Sequence, residues 1–110
     1  MTANKLPTSR PHDAAVVEML RADPDFANEY LAAALEEADE PGGQAALLAA
    51  LRHVAEAQGM AAVAERAGIP RESLYRALSP KGNPTIKTLL AVLGAAGLHL
   101  AVARHDSAHT

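Results

Sequence analysis

Between Arg71 and Lys87 this 110-residue chain carries side chains suited to gripping a polyanion and reading hydrogen-bonding edges. Arg71, Glu72 and Ser73, with Arg76 one turn further on the same side, belong to the start of a short helix. A guanidinium can pair bidentately with guanine, and a glutamate can accept from the amino group of cytosine. These four are the expected base contacts. Tyr75, Ser79, Lys81, Asn83, Thr85 and Lys87 follow in the same stretch, and side chains or backbone amides there can hold phosphate oxygens. They are the expected backbone contacts. Singly, Arg66 or Lys87 reads as a solvated surface charge; the cluster is harder to dismiss.

Two short helices must position these groups. Met60 to Ala67 makes two turns, Gly68-Ile69-Pro70 a tight turn, and Arg71 to Ser79 a second helix. That is the spacing of a helix-turn-helix unit, whose second helix enters the major groove of DNA. Ala64 is small where the two helices cross, and Gly68 permits the positive φ of the turn. Val63, Ala67, Ile69 and Leu74 are apolar where the unit must pack inward. The last inward position is held by the small Ala77 or its neighbour Leu78. A helical hairpin in any small bundle shares this spacing, so the polar residues carry the functional argument.

The rest of the chain is also read as helical. It is 49% hydrophobic but only 3% aromatic, and alanine-rich. Alanine favours helix, and the scarcity of β-branched and aromatic residues disfavours an all-β fold. Residues 1–12 read as a flexible lead-in, with Asp13 capping a short helix, Ala14 to Arg21, ahead of Pro24. A second helix runs from about Asp25 to Glu40 with an apolar face of Phe26, Tyr30, Leu31, Ala34, Leu35 and Ala38. Pro41-Gly42-Gly43 is a break. A third helix, Gln44 to Gln58, buries Leu47, Leu48, Leu51, Val54 and Ala55 and stops at Gly59. Thr85 caps a helix from Ile86 to about Ala96, with Ile86, Leu89, Leu90 and Leu93 inward. Leu98 to Ala103 alternates as one short strand, and residues 104–110 form a polar tail.

Several function classes are disfavoured. Without cysteine there is no disulfide scaffold, thiolate metal site or cysteine nucleophile. The histidines do not form a helical zinc motif, and His105 and His109 stand four apart in the tail. Ser73 and Ser79 lack a nearby base. No cofactor, metal site or catalytic constellation is expected. The apolar runs fall short of the roughly 18 residues that a membrane span needs, and residues 1–13 have no signal-peptide core. A cytoplasmic location is expected.

Charge divides the chain. Up to Gly43 there are nine acidic and three basic residues, net −6; from Gln44 onward the balance is +3. Between Arg66 and Lys87 five basic residues face only Glu72. Such asymmetry fits two different partners, although two solvated helix faces would look the same.

The stretches Tyr30-Leu31…Leu35-Glu36-Glu37, Ala50-Leu51-Arg52…Ala57-Gln58-Gly59 and Ile69-Pro70-Arg71-Glu72-Ser73-Leu74-Tyr75-Arg76-Ala77-Leu78-Ser79-Pro80-Lys81-Gly82-Asn83-Pro84-Thr85 together resemble the family of addiction-module antidote proteins. These are antitoxins with a lambda-repressor-like DNA-binding domain, similar to HigA-type proteins. The likeness covers about Asp13 to Ala103. Pro70 departs from it, standing where a capping serine is expected.

The pattern gives an all-α fold of five to six helices with a short C-terminal strand, and the resemblance makes its helix-turn-helix lambda-repressor-like. The chain divides into a lead-in (1–12), an acidic helical segment that could contact a toxin (13–43), a DNA-binding domain (44–103) and a tail (104–110). The resemblance implies an antitoxin of a type II module, a repressor of its own operon that binds a small basic toxin of the RelE/ParE/HigB type. Operator DNA, the toxin and a second copy of the chain are the expected partners, with Leu98 to Ala103 a candidate dimer contact. A protein-interaction module, or a stand-alone regulator without a toxin, is the alternative.

Overall fold

The computed structural model describes residues 10–104. The described chain forms six helices: α1 (Arg10–Ala22), α2 (Phe26–Glu36), α3 (Gly43–Gln58), α4 (Met60–Ala67), α5 (Arg71–Ala77) and α6 (Ile86–Ala95). The long α3 is the centre: α1 and α2 pack on it, as do α4 and α6. The last three helices gather on α4, which touches both α5 and α6. Leu20 of α1, Val54 of α3, Val63 of α4, Leu74 of α5, Leu78 just after it and Val92 of α6 are its largest fully enclosed side chains. No described helix is long and apolar enough to cross a membrane.

Local chemistry explains where the helices begin and end. α1 starts earlier than expected because Pro11 falls in its first turn, where a missing amide proton leaves no bond unmade. Asp13 therefore lies inside the helix instead of capping it. α2 stops at Glu36, four residues short of expectation. Carrying it to Glu40 would crowd Glu36, Glu37, Asp39 and Glu40 against the negative end of its own dipole. The chain instead turns through backbone bonds from Ala38 to the Leu35 carbonyl and from Glu40 to the Glu37 carbonyl. α6 opens on Thr85, whose Oγ1 accepts from the Thr88 amide at 3.1 Å.

Two further expectations need correction. α6 presents a different face from the one expected: Thr88, Ala91, Val92 and Leu93 are buried, whereas Ile86 is 69% exposed and Leu90 46%. The small side chains at 88 and 91 permit close approach of α6 to α4, and that rotates Ile86 and Leu90 outward. The strand expected at Leu98 to Ala103 is not formed, and no strand occurs among the described residues. A strand needs a second extended segment to pair with, and this helical chain supplies none. Val102 is fully exposed and Leu100 about half so. The lead-in to residue 9 and the tail from His105 lie outside the described residues.

Candidate nucleic-acid interface

α4 and α5 meet through a three-residue turn. Gly68 adopts φ 71°, a left-handed conformation that costs glycine nothing. With it in place, the Ile69 amide bonds back to the Ala64 carbonyl at 3.1 Å and closes the end of α4. Val63, Ala67 and Leu74 are fully buried, as is Leu78; Ala64 is nearly so, and Ile69 packs half-buried against the core. Pro70 takes an extended conformation ahead of α5 and offers no side-chain cap, yet the helix still begins at Arg71.

α5 presents two different sides. Ser73, Arg76, Ser79, Lys81 and Asn83 line one open recess of about 460 Å³ together with Ala77 and Gly82. Every charged residue on that recess is basic. The loop is folded tightly against the helix end: Ser79 donates from Oγ to the Arg76 carbonyl at 2.8 Å, and the Gly82 amide donates to the Ser79 carbonyl at 2.8 Å. Gly82 has no alternative, since a Cβ there would overlap the carbonyl of Ala77.

Arg71 and Tyr75 are on the other side. They line a recess of about 410 Å³ with Val17, Glu18 and Arg21 of α1, Glu56 of α3 and Met60. Two carboxylates oppose two guanidiniums there. Arg21 pairs with Glu18 at 3.2 Å and reaches the Glu56 carbonyl at 3.3 Å. Glu72 is exposed between the two sides. The expected contacts are thus not one cluster. Ser73, Arg76, Ser79, Lys81 and Asn83 come together; Arg71 and Tyr75 stand apart. Thr85 is committed to capping α6. Lys87 lies against the turn, where a Cβ at Gly68 would stand 3.3 Å from its Nζ.

Two neighbours on α3, His53 and Arg52, to which no role was assigned from sequence, organise the surroundings. His53 of α3 is 4% exposed and bridges two helices: its ring lies 2.7 Å from the Tyr30 hydroxyl through Nδ1 and 2.9 Å from Asp13 Oδ1 through Nε2. With the proton on Nε2, the imidazole donates to Asp13 and accepts from Tyr30. Burial raises the Tyr30 pKa, the Asp13 charge adds to that rise, and Arg52 opposes it. The phenol therefore stays protonated, and Tyr30–His53–Asp13 bridges α2, α3 and α1. Arg52, next in sequence to His53, donates from Nη1 to the Leu78 carbonyl at 2.7 Å, at the C-terminal end of α5. The available signal was an arginine and a histidine set side by side in the apolar, alanine-rich middle of this helix.

The profile of the family described as "Probable addiction module antidote protein" matches residues 10–104. A curated protein of Haemophilus influenzae, described as an "Uncharacterized protein", is 46% identical over 56 residues, 51% of this chain. The chain matches 58% of that relative's length. No solved structure matches.

Proposed function

The chain belongs to the family of addiction module antidote proteins, and from that premise we propose that it is the antitoxin of a type II pair which also represses its own operon by binding DNA. The recess formed by Ser73, Arg76, Ser79, Lys81 and Asn83 is the observation that carries the DNA reading. It joins the outer side of a short second helix to a basic loop without an acidic residue between them. α5 is the recognition helix of a lambda-repressor-like helix-turn-helix: Arg76 and Ser73 meet base edges, and Lys81 and Asn83 hold the backbone. Arg71, facing Glu18 and Glu56, enters the groove from the other side with its charge partly countered. One recognition helix reads one half-site, so a homodimer spans two half-sites about 34 Å apart.

The second partner is a small basic toxin of the RelE/ParE/HigB type. Exposed Glu29, Glu36, Glu37, Asp39 and Glu40 on α2 and the turn after it give a surface of suitable sign. Such charge speeds encounter more than it tightens the complex. The protein acts by binding, without catalysis, in the cytoplasm.

Salt and substitution test the DNA reading together. Affinity for a duplex carrying the chain's own promoter region should fall steeply with salt. Arg76→Ala should cost about 1–3 kcal/mol and relax sequence preference, whereas Lys81→Ala should weaken all sequences alike and lower the salt slope by about 1. If neither change alters DNA retention, the chain is a protein-interaction module instead. Toxin binding is best tested by replacing Glu36, Glu37, Asp39 and Glu40 with their amides. Deleting α1 and α2 would strip Leu20, Ala27 and Leu31 from the core.

A further inference from the structure

We propose that Arg52 of α3 is a positioning residue for sequence reading: it fixes where α5 lies without touching DNA. This rests on the DNA reading above. α5 has seven residues, too few to be held by its own hydrogen bonds. Its inward anchors, Leu74 and Leu78, are fully buried, but apolar contact is non-directional and leaves small slides and rotations open. The Arg52 guanidinium supplies direction. It reaches across 26 residues of sequence to the Leu78 carbonyl, at 2.7 Å and partly buried. Among the described residues no other hydrogen bond ties α5 to α1, α2, α3 or α6. A positive charge at that end also complements the helix dipole.

The pinned carbonyl lies two residues beyond Arg76 and directly before the Ser79–Asn83 loop, so one bond sets both the helix end and the loop origin. Base readout tolerates only about 0.5 Å of misplacement. Arg52 shares a recess with Asp13 and Glu56, and the helix that carries it is fixed at the next residue, where His53 is bonded to Asp13 and Tyr30.

The test uses the full chain with Arg52→Met, which keeps the stem and removes the donors, and Arg52→Lys, which restores one. Amide exchange without DNA reports the pin, and the affinity ratio between the promoter duplex and a scrambled duplex reports the reading. For Arg52→Met, exchange at the Leu74 to Leu78 amides should rise, while amides of α4 and α6 stay protected. The ratio should fall about tenfold, the worth of one charge-assisted hydrogen bond, and Arg52→Lys should recover part of it. The salt slope should not change, because no phosphate contact is lost. An unchanged ratio overturns the proposal, even where exchange rises. A salt slope reduced by about 1 also overturns it, since Arg52 would then be a phosphate contact. If Arg52→Met does not fold, the same readouts on Arg52→Lys decide. If the unsubstituted chain shows no preference between the duplexes, the DNA reading itself has failed, and the unsubstituted control separates that case from failure of Arg52 alone.

Discussion

The helices before α3 and those after it share one aliphatic core but differ in the polar bonds that direct their packing. α1 and α2 are keyed to α3 by a polar chain, Tyr30–His53–Asp13, in which each bond has a direction and a length. α4, α5 and α6 rely on enclosed aliphatic side chains, glycine turns and, among the described residues, one side-chain bond to an earlier helix, from Arg52 to Leu78. The first arrangement sets which helix faces meet. The second buries surface efficiently but leaves the short α5 with few directional restraints. An acidic binding surface can thus sit on a rigidly registered pair, while the basic surface depends on packing and one guanidinium.

The largest expected effect lies on the packed side. Leu74→Ala removes a fully enclosed side chain and should cost about 2–5 kcal/mol in urea denaturation. The matching change at half-exposed Leu35 should stay within about 0.5 kcal/mol. Equal losses would erase the contrast between enclosed and exposed leucines.

A smaller loss is expected from the polar key. His53→Ala removes two hydrogen bonds and a buried ring, and should cost about 1–3 kcal/mol. Its exchange signature should appear on α1 and α2 and spare α5. Protection lost first from α5 would mean that the two regions are not secured separately.

The smallest effect is a pH dependence. Folded Tyr30 holds its proton more tightly than the unfolded chain does, because burial and the Asp13 charge disfavour the phenolate. The contribution is complete below the ordinary phenol pKa of about 10 and is lost as pH rises above it. Tyr30→Phe should flatten the alkaline limb of the stability curve, and an unchanged limb would remove Tyr30 as its cause.

Helix type was readable because alanine content and three-to-four spacing both report local preference. α4 was found from Met60 to Ala67 because glycines flank it on both sides. The face of α6 was misread, since Ile86 and Leu90 outrank Thr88 and Ala91 in hydropathy while packing against α4 rewards small size. Leu98 to Ala103 alternates like a strand, but alternation cannot supply a neighbour. At the candidate interface residue types were legible and their grouping only partly so. Arg71 and Arg76 are five apart, about 140° around a helix, which already separates them, while the positions of α1 and α3 add that Arg71 shares its recess with Glu18 and Glu56. Arg52 and His53 were missed because their partners lie 23 to 40 residues away in sequence.

Gly82 has a consequence for how this surface can change over generations. Every single-base change of a glycine codon that replaces the residue adds a Cβ, and here that atom would overlap the Ala77 carbonyl. The path of the loop is therefore closed to small genetic steps. Pro80, Lys81 and Asn83 are exposed beside it and are free to vary. A lineage can retune the charge and hydrogen bonding of this loop while its position stays fixed, so what the recess contacts can change on an unchanged frame.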